Sequence, residues 1–578
     1  MFNPSHLLGI FSAFNASHFA TLDFTALAGA AQPNRLGGVV QMRPFAIKDG
    51  GVDSLAQRER KVEGAELNVG PMSSQGTIRV RPNGKLLFVA SARQAYMNLL
   101  YGRWLDFDGS PLRYSFGDYN VTLSYRPSMR HRFDLNAYFG QDRASYTEGA
   151  HLMHVRLNWL NYAAEASWRV MDKSWQLTQR LVASGYQNDF RLRQAGQKMS
   201  LPSHIRQYGY QAEWNCNSWQ IGGSYSLYQI LPQSPQIEST YTQIETDRQE
   251  KGVAHEANVY AGWQYGWHDG QWVLKPEGRV TYYRDVDQKS WFSISPMLTL
   301  SWQAAPQHRL GVQLSVANQY VQQTGFTSLG LPTEFWFSAS RELKPQRAEG
   351  LSLLYDGQTP NNAWAFTANA YVKRLHHQKE YKDNVLDLIN EAYSLNKSLL
   401  QGRGLNYGFG MQLTRQSGPV TGWVGYAFGR SLRKFPELRE RSSYPANHER
   451  VHEFNLVATW RALKRVTFTC SAVFASGTPF TSANEFYLMN GYVVAQYGKH
   501  NGCHLPWYKR VDMAVNVDLK QKRQRHFRHG FNVSLFNAFG FNNPLFYRLR
   551  IRRDGNFRFA PVCFLKYPLP SFSYYIKY

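Results

Sequence analysis

The chain has 578 residues, a formal net charge of +24 and 15% aromatic side chains, yet its mean hydropathy is only −0.47. No stretch approaches the ~18 consecutive apolar residues of a membrane-spanning helix, which excludes a helical membrane protein. The four cysteines stand far apart without a CxxC pair and suggest neither a zinc knuckle nor a disulfide framework. The basic residues fall in connecting segments with no nucleic-acid-binding motif beside them, so nucleic acid is not expected as a partner.

In chain order, Met1-Phe2-Asn3-Pro4-Ser5-His6 has neither a basic segment nor an apolar stretch with a small-residue cleavage site. A barrel needs export, so a signal is expected upstream of this start. After an initial hairpin near 62–81 the dominant period is two. In 131–140, Phe133, Leu135, Ala137 and Phe139 alternate with Asp134, Asn136 and Tyr138. In 363–373, Trp364, Phe366, Ala368, Ala370 and Val372 alternate with Thr367, Asn369, Tyr371 and Lys373. In 511–519, Val511, Met513, Val515, Val517 and Leu519 alternate with Asp512, Asn516 and Asp518. Stretches of ~10 residues suit tilted strands crossing ~30 Å of hydrocarbon, with lipid on one face and a wet or plugged lumen on the other.

A soluble β-sandwich would alternate in the same way, and the connections discriminate. Short turns are expected near 126–131, 169–174, 215–219, 265–271, 303–308, 356–363, 415–420, 460–465 and 519–530. Long links are expected near 97–115, 141–152, 186–205, 229–252, 319–346, 374–403, 431–451, 478–507 and 541–556. Short turns on the periplasmic side and long loops outside are the habit of membrane barrels. The fold predicted is all-β, a large antiparallel transmembrane β-barrel of about 22 strands. Its last strand carries Phe572, Tyr574, Ile576 and Tyr578 on one face. This ending resembles the signal by which bacterial barrels are recognised, which implies the barrel-assembly machinery as a partner.

Several segments resemble TonB-dependent receptors of the Bacteroidetes type. Leu343-Lys344-Pro345-Gln346-Arg347-Ala348-Glu349 is similar to the family's LKP segment, and Leu329-Gly330-Leu331-Pro332-Thr333-Glu334-Phe335-Trp336 resembles a loop of one branch. Ser476-Gly477-Thr478-Pro479-Phe480-Thr481, Leu505-Pro506-Trp507-Tyr508-Lys509-Arg510-Val511-Asp512 and the run from Phe536 to Pro544 follow in the family's order. Near the start, Leu8-Gly9-Ile10-Phe11-Ser12 and Arg35-Leu36-Gly37-Gly38-Val39-Val40 resemble the last plug strands before the barrel. The resemblance implies the C-terminal end of a plug domain over 1–45, a linker over 46–61 and the barrel over 62–578. The family's signal peptide, TonB box and most of its plug are not seen. It further implies uptake of a scarce large solute such as a siderophore, haem, cobalamin, glycan or peptide, energised by the TonB complex if the missing N-terminus is present. The competing expectation is a passive or non-functional outer-membrane barrel lacking a complete plug.

Ligand contacts are expected from the long links, where rigid strands carry variable loops. Phe335, Trp336 and Phe337 could stack on a ring, and His376, His377 and Tyr381 could meet a ring or a metal chelate. The same aromatics could equally pack loop against loop. Arg548, Arg550, Arg552 and Arg553 could hold lipopolysaccharide phosphates by charge-assisted hydrogen bonds, or be solvated. His500, Cys503 and His504 are too awkwardly spaced for a metal site, so neither a metal nor a cofactor is expected. No nucleophile elbow or HExxH motif points to an enzyme.

Overall fold

The computed structural model describes the chain apart from residues 1, 4–5, 7–11, 13, 27–28, 33–34, 48–61, 100, 103–104, 108–109, 149–152, 195–196, 235, 240–250, 326–333, 382–394, 438–441, 490–491, 521–526, 552–556 and 565. Twenty-two strands close into one antiparallel barrel. The first half runs β1 (Val62–Val69), β2 (Ser73–Asn83), β3 (Leu86–Ala95), β4 (Arg113–Tyr125), β5 (His131–Glu148), β6 (Met153–Met171), β7 (Trp175–Gln194), β8 (Gln197–Cys216), β9 (Trp219–Leu231), β10 (Gly252–Trp263) and β11 (Trp272–Arg284). The second half runs β12 (Ser290–Ala305), β13 (His308–Gln319), β14 (Gln346–Gln358), β15 (Trp364–Tyr381), β16 (Leu399–Arg415), β17 (Val420–Lys434), β18 (His452–Leu463), β19 (Val466–Ala475), β20 (Tyr508–Asp518), β21 (Arg528–Phe536) and β22 (Leu569–Lys577).

Closure joins the two ends of the sequence. β22 pairs with β1 from Val69↔Tyr574 to Glu66↔Lys577. Beyond it, the backbone of Tyr578 exchanges hydrogen bonds with Ala65 at 2.8 and 3.3 Å. The terminal aromatic therefore completes the seam, and no strand of the barrel keeps an unpaired edge.

The strands are inside out relative to a soluble protein. On β4, Asp118, Asn120, Thr122 and Ser124 are buried toward the lumen, while Tyr119, Val121 and Tyr125 are exposed outward. On β16, Leu405, Tyr407, Phe409, Met411 and Leu413 form the exposed outer face. So much outward apolar surface fits hydrocarbon rather than water, and every ladder hydrogen bond is made between strands, as a bilayer requires. At the short-turn rim, rings stack in series from Trp219 through Trp263, Tyr265, Trp267 and Trp272 to Trp302, with centroids 5.3 to 6.0 Å apart. This is one of the aromatic girdles that a membrane interface selects.

Two of the expected long links contract. β5 continues to Glu148 and β7 to Gln194, where Gln194 already pairs with Gln197 of β8. Apolar alternation stops where the strands leave the hydrocarbon, but backbone pairing continues beyond it. A tight turn at 285–289, absent from the expected connections, links β11 to β12 at the long-loop rim. There Asp285 Oδ1 accepts from the backbone N–H groups of Asp287 (3.0 Å) and Lys289 (2.9 Å). Other long links fold into small sheets of their own, such as Val321–Thr324 with Phe335–Ser338 and Pro544–Ile551 with Phe557–Cys563.

Candidate functional site

The described residues between 2 and 47 lie inside the barrel, where Phe19–Thr25 pairs with Val39–Pro44 as a free-standing hairpin. Lumen-facing side chains hold this segment mainly by its backbone. Asn161 of β6 donates to the Asn3 carbonyl (3.1 Å), Arg279 Nε of β11 to Ala30 (2.7 Å) and Lys373 of β15 to Ala26 (3.2 Å). The Leu36 N–H donates to Gln319 of β13 at 3.0 Å. At the short-turn end, the Ile47 N–H reaches Ser124 of β4 at 3.4 Å. Buried backbone groups of an irregular segment need such partners, because no ladder supplies them.

The strongest attachment is ionic. His6 bridges two carboxylates, with Nε2 2.8 Å from Asp118 and Nδ1 2.9 Å from Asp142. Arg93 Nε donates to Asp118 at 2.7 Å, and the Tyr114 hydroxyl donates to Asp142 at 2.6 Å. His6, Asp118 and Asp142 are all buried, and the imidazole lies on the Phe116 ring at 4.0 Å. Burial alone would lower the His6 pKa, but the hydrogen bonds to Asp118 and Asp142 outweigh it and raise it above the usual value. The cluster sets two carboxyl groups against one imidazole and one guanidinium. His18 behaves oppositely. It is buried between Thr122 (3.0 Å) and Ser91 (3.1 Å), and burial lowers its pKa to about 4.

Toward the long-loop rim the lumen narrows to a buried aromatic basin. Tyr114, Trp159, Tyr186, Tyr228, Tyr283 and Tyr320 belong to one cluster with Phe2 and Trp336. Tyr283 stacks on Tyr320 at 4.6 Å, and Phe2 meets Trp336 edge-on at 5.2 Å. Arg35 lies over the other contact surface of Trp336, 5.4 Å from its centroid. The Trp336 indole N–H is buried without a hydrogen-bond partner among the described residues. One loop tryptophan therefore touches the lumen segment at two points.

Of the residues expected to contact a solute, Phe335, Trp336 and Phe337 form one short strand and are all buried. Phe335 and Phe337 turn away from Trp336 and pack with Leu343, Leu395 and Leu399, with Tyr381 against them. His376 falls on the outward face of β15, 3.8 Å from Glu349 of β14. His377 occupies a bulge with φ 55° and donates from Nδ1 to the Pro345 carbonyl at 3.0 Å. His376 and His377 thus do not converge on one point. Arg548 and Arg550 lie on the Pro544–Ile551 strand, and Arg552 and Arg553 lie outside the described residues. His500 turns away from Cys503 and His504 to meet Glu380 at 2.7 Å. The inward aromatics and the His6 cluster were not identified from sequence. Period-two alternation gives the face of Asp118 or Tyr186, but no local signal pairs His6 with a residue 136 positions away.

The family described as "TonB dependent receptor-like, beta-barrel" matches residues 84–543. No curated protein matches the sequence. Among solved structures, the FrpB iron transporter from Neisseria meningitidis is similar at a TM-score of 0.64 and 11% identity, over 97% of this chain and 87% of that one. The ferripyoverdine receptor of the outer membrane of Pseudomonas aeruginosa gives 0.63 and 9%, over 94% and 74%. The ferric citrate transporter FecA in its unliganded form gives 0.63 and 12%, over 100% and 86%. At such identities the likeness concerns the fold.

Proposed function

Because this chain belongs to the TonB dependent receptor-like β-barrel family, a family of outer-membrane receptors, we propose that it captures a scarce large solute at the cell surface and imports it with energy from TonB. The solute is of the class carried by such receptors: a siderophore, haem, cobalamin, glycan or peptide. Residues 1–45 are proposed to be the closing part of a plug, tethered through 46–61 to the barrel. The order of the C-terminal motifs favours a Bacteroidetes-type receptor.

The observation that carries this reading is the coupling of loop to lumen at Trp336. A solute entering from outside meets the loops that contain Phe335, Trp336, Phe337, His377 and Tyr381. If it displaces Trp336, the indole releases Phe2 and Arg35, and the tyrosines around Phe2 become available to stack on the incoming molecule. Capture outside is thereby linked to loosening inside, which is what energised uptake needs of its resting state.

The test is a binding screen on the purified full chain, comparing iron chelates, haem, cobalamin, oligosaccharides and peptides by tryptophan fluorescence. A binder whose signal is lost in Trp336→Phe, and whose affinity falls in Tyr283→Ala, supports the reading. Binders that leave the Trp336→Phe signal unaltered would place capture elsewhere on the surface.

A further inference from the structure

The outward face of β14–β17 carries a feature that solute uptake does not use. In the register of these strands, Arg347 lies opposite His376, His376 opposite Arg403, and Arg403 opposite Lys434. Four basic side chains therefore form one row across four adjacent strands, with directly opposed neighbours ~5 Å apart at Cβ. Arg374 lies one step below, on the same face as His376 and opposite Glu349. Opposed like charges destabilise a sheet unless something anionic lies between them. Glu349 serves one end only, at 3.0 Å from Arg347 and 3.8 Å from His376. Arg374, Arg403 and Lys434 are exposed and have no carboxylate within ion-pair distance among the described residues.

The height of the row identifies what fills the gap. Directly beneath it on the same face come Leu351, Val372 and Leu405, all exposed. On β16 the apolar series continues until Arg415, whose guanidinium lies over Trp364 at 5.4 Å. From Arg403 to Arg415 the strand rises about 40 Å at roughly 3.3 Å per residue, or about 30 Å along the membrane normal at a tilt near 40°. The row therefore stands where the hydrocarbon ends at the long-loop rim, the level of the outer-leaflet headgroups. Forked guanidinium groups above an apolar wall match a phosphorylated lipid: phosphates on Arg374, Arg403 and Lys434, acyl chains down Val372 and Leu405.

We propose that this row is a binding site for the phosphates of an outer-leaflet lipid of the lipopolysaccharide type. A free phosphate would gain the same ion pairs but nothing from the apolar wall below.

The test uses the full chain in nanodiscs, titrated with diphosphorylated lipid A and with its dephosphorylated form. Three proteins are compared: wild type, the triple variant R374Q/R403Q/K434Q, and K464Q/R465Q at the opposite rim. At about fivefold per cation at a charged membrane surface, the triple variant should bind diphosphorylated lipid A about a hundredfold more weakly. The K464Q/R465Q protein and all binding of the dephosphorylated lipid should be unchanged. Equal affinity of the wild type and the triple variant would overturn the proposal. So would displacement of the lipid by inorganic pyrophosphate at equimolar concentration, which would mean a site for a soluble anion. If the triple variant fails to fold, R374K/R403K supplies the second comparison: it keeps the charge but not the fork, and should bind at an intermediate level. Wild-type affinity in it, with single Gln variants also unaffected, would count against the site.

Discussion

Replacing His6 with alanine tests how the lumen segment is held. In the wild type, Asp118 keeps Arg93 as a partner, but among the described residues the only cation on Asp142 is His6. Among the described residues, removing the imidazole leaves Asp142 with only the Tyr114 hydroxyl, at 2.6 Å, in a site 2% exposed. Breaking a buried ion pair from one side typically costs about 3–5 kcal/mol, because one charge stays buried and uncompensated. That cost falls on docking of the segment, so hydrogen exchange of the Ala16–His18 turn and of Phe19–Thr25 should accelerate more than a hundredfold. Adding Asp142→Asn to His6→Ala removes the stranded charge and should restore most of the protection, which gives a coupling larger than about 1 kcal/mol in the double-mutant cycle. The pH dependence has two limbs. His6 has a raised pKa in the docked state, so its contribution is full below its free value near 6.5 and is lost as pH rises through the docked pKa. His18 is lowered to about 4, so its contribution is full above 6.5 and is lost as pH falls toward 4. The drop from 6.5 to about 4 corresponds to about 3 kcal/mol. Protection, corrected for intrinsic exchange, should therefore peak near neutral pH and fall on both sides. Unchanged protection in His6→Ala, or protection that rises steadily with pH, would refute the argument.

Phe409→Arg places a charge on the lipid face of β16, where the Phe409 ring meets Phe428 at a tilt, with centroids 5.6 Å apart. It should cost about 2–4 kcal/mol of folding into vesicles by urea titration, whereas the lumen-facing Gln412→Arg should cost under about 1 kcal/mol. Gly422 has φ +149°, and an added Cβ would collide with the Val457 carbonyl of β18. Gly422→Ala should lower stability by about 1–3 kcal/mol, read as a lower temperature for loss of the compact electrophoretic form. Asp285→Ala strips the 285–289 turn of its acceptor and leaves the Trp291 indole N–H, now bonded at 2.8 Å, without one. The expected loss is about 2 kcal/mol, confined to local hydrogen exchange in 285–291.

The transmembrane stretches were legible because lipid on one side and a polar lumen on the other impose the same alternation on each strand. Phe366, Ala368, Ala370 and Val372 on β15 are an instance. Signals failed where that constraint stops. β7 and β8 continue above the membrane through Phe190↔Leu201 to Gln194↔Gln197, where both faces meet water or loops and composition no longer reports pairing. The turn at 285–289 was missed because Asp-Val-Asp-Gln-Lys holds no Gly or Pro to mark it, although Asp285 is a common turn acceptor. The aromatic run Phe335-Trp336-Phe337 was recognised as a cluster, but not that its strand sends Trp336 inward and its neighbours into a separate loop core. The basic row from Arg347 to Lys434 is invisible in the sequence, because its members are neighbours only through interstrand register.

The most direct test of the central claim is solute accumulation by cells that express the protein, measured with TonB energisation intact and with the inner-membrane proton gradient collapsed. The account predicts saturable uptake of one solute that stops when energisation is removed, while surface binding of that solute persists. Uptake that continues undiminished and scales linearly with external concentration would contradict it and identify the barrel as a passive channel.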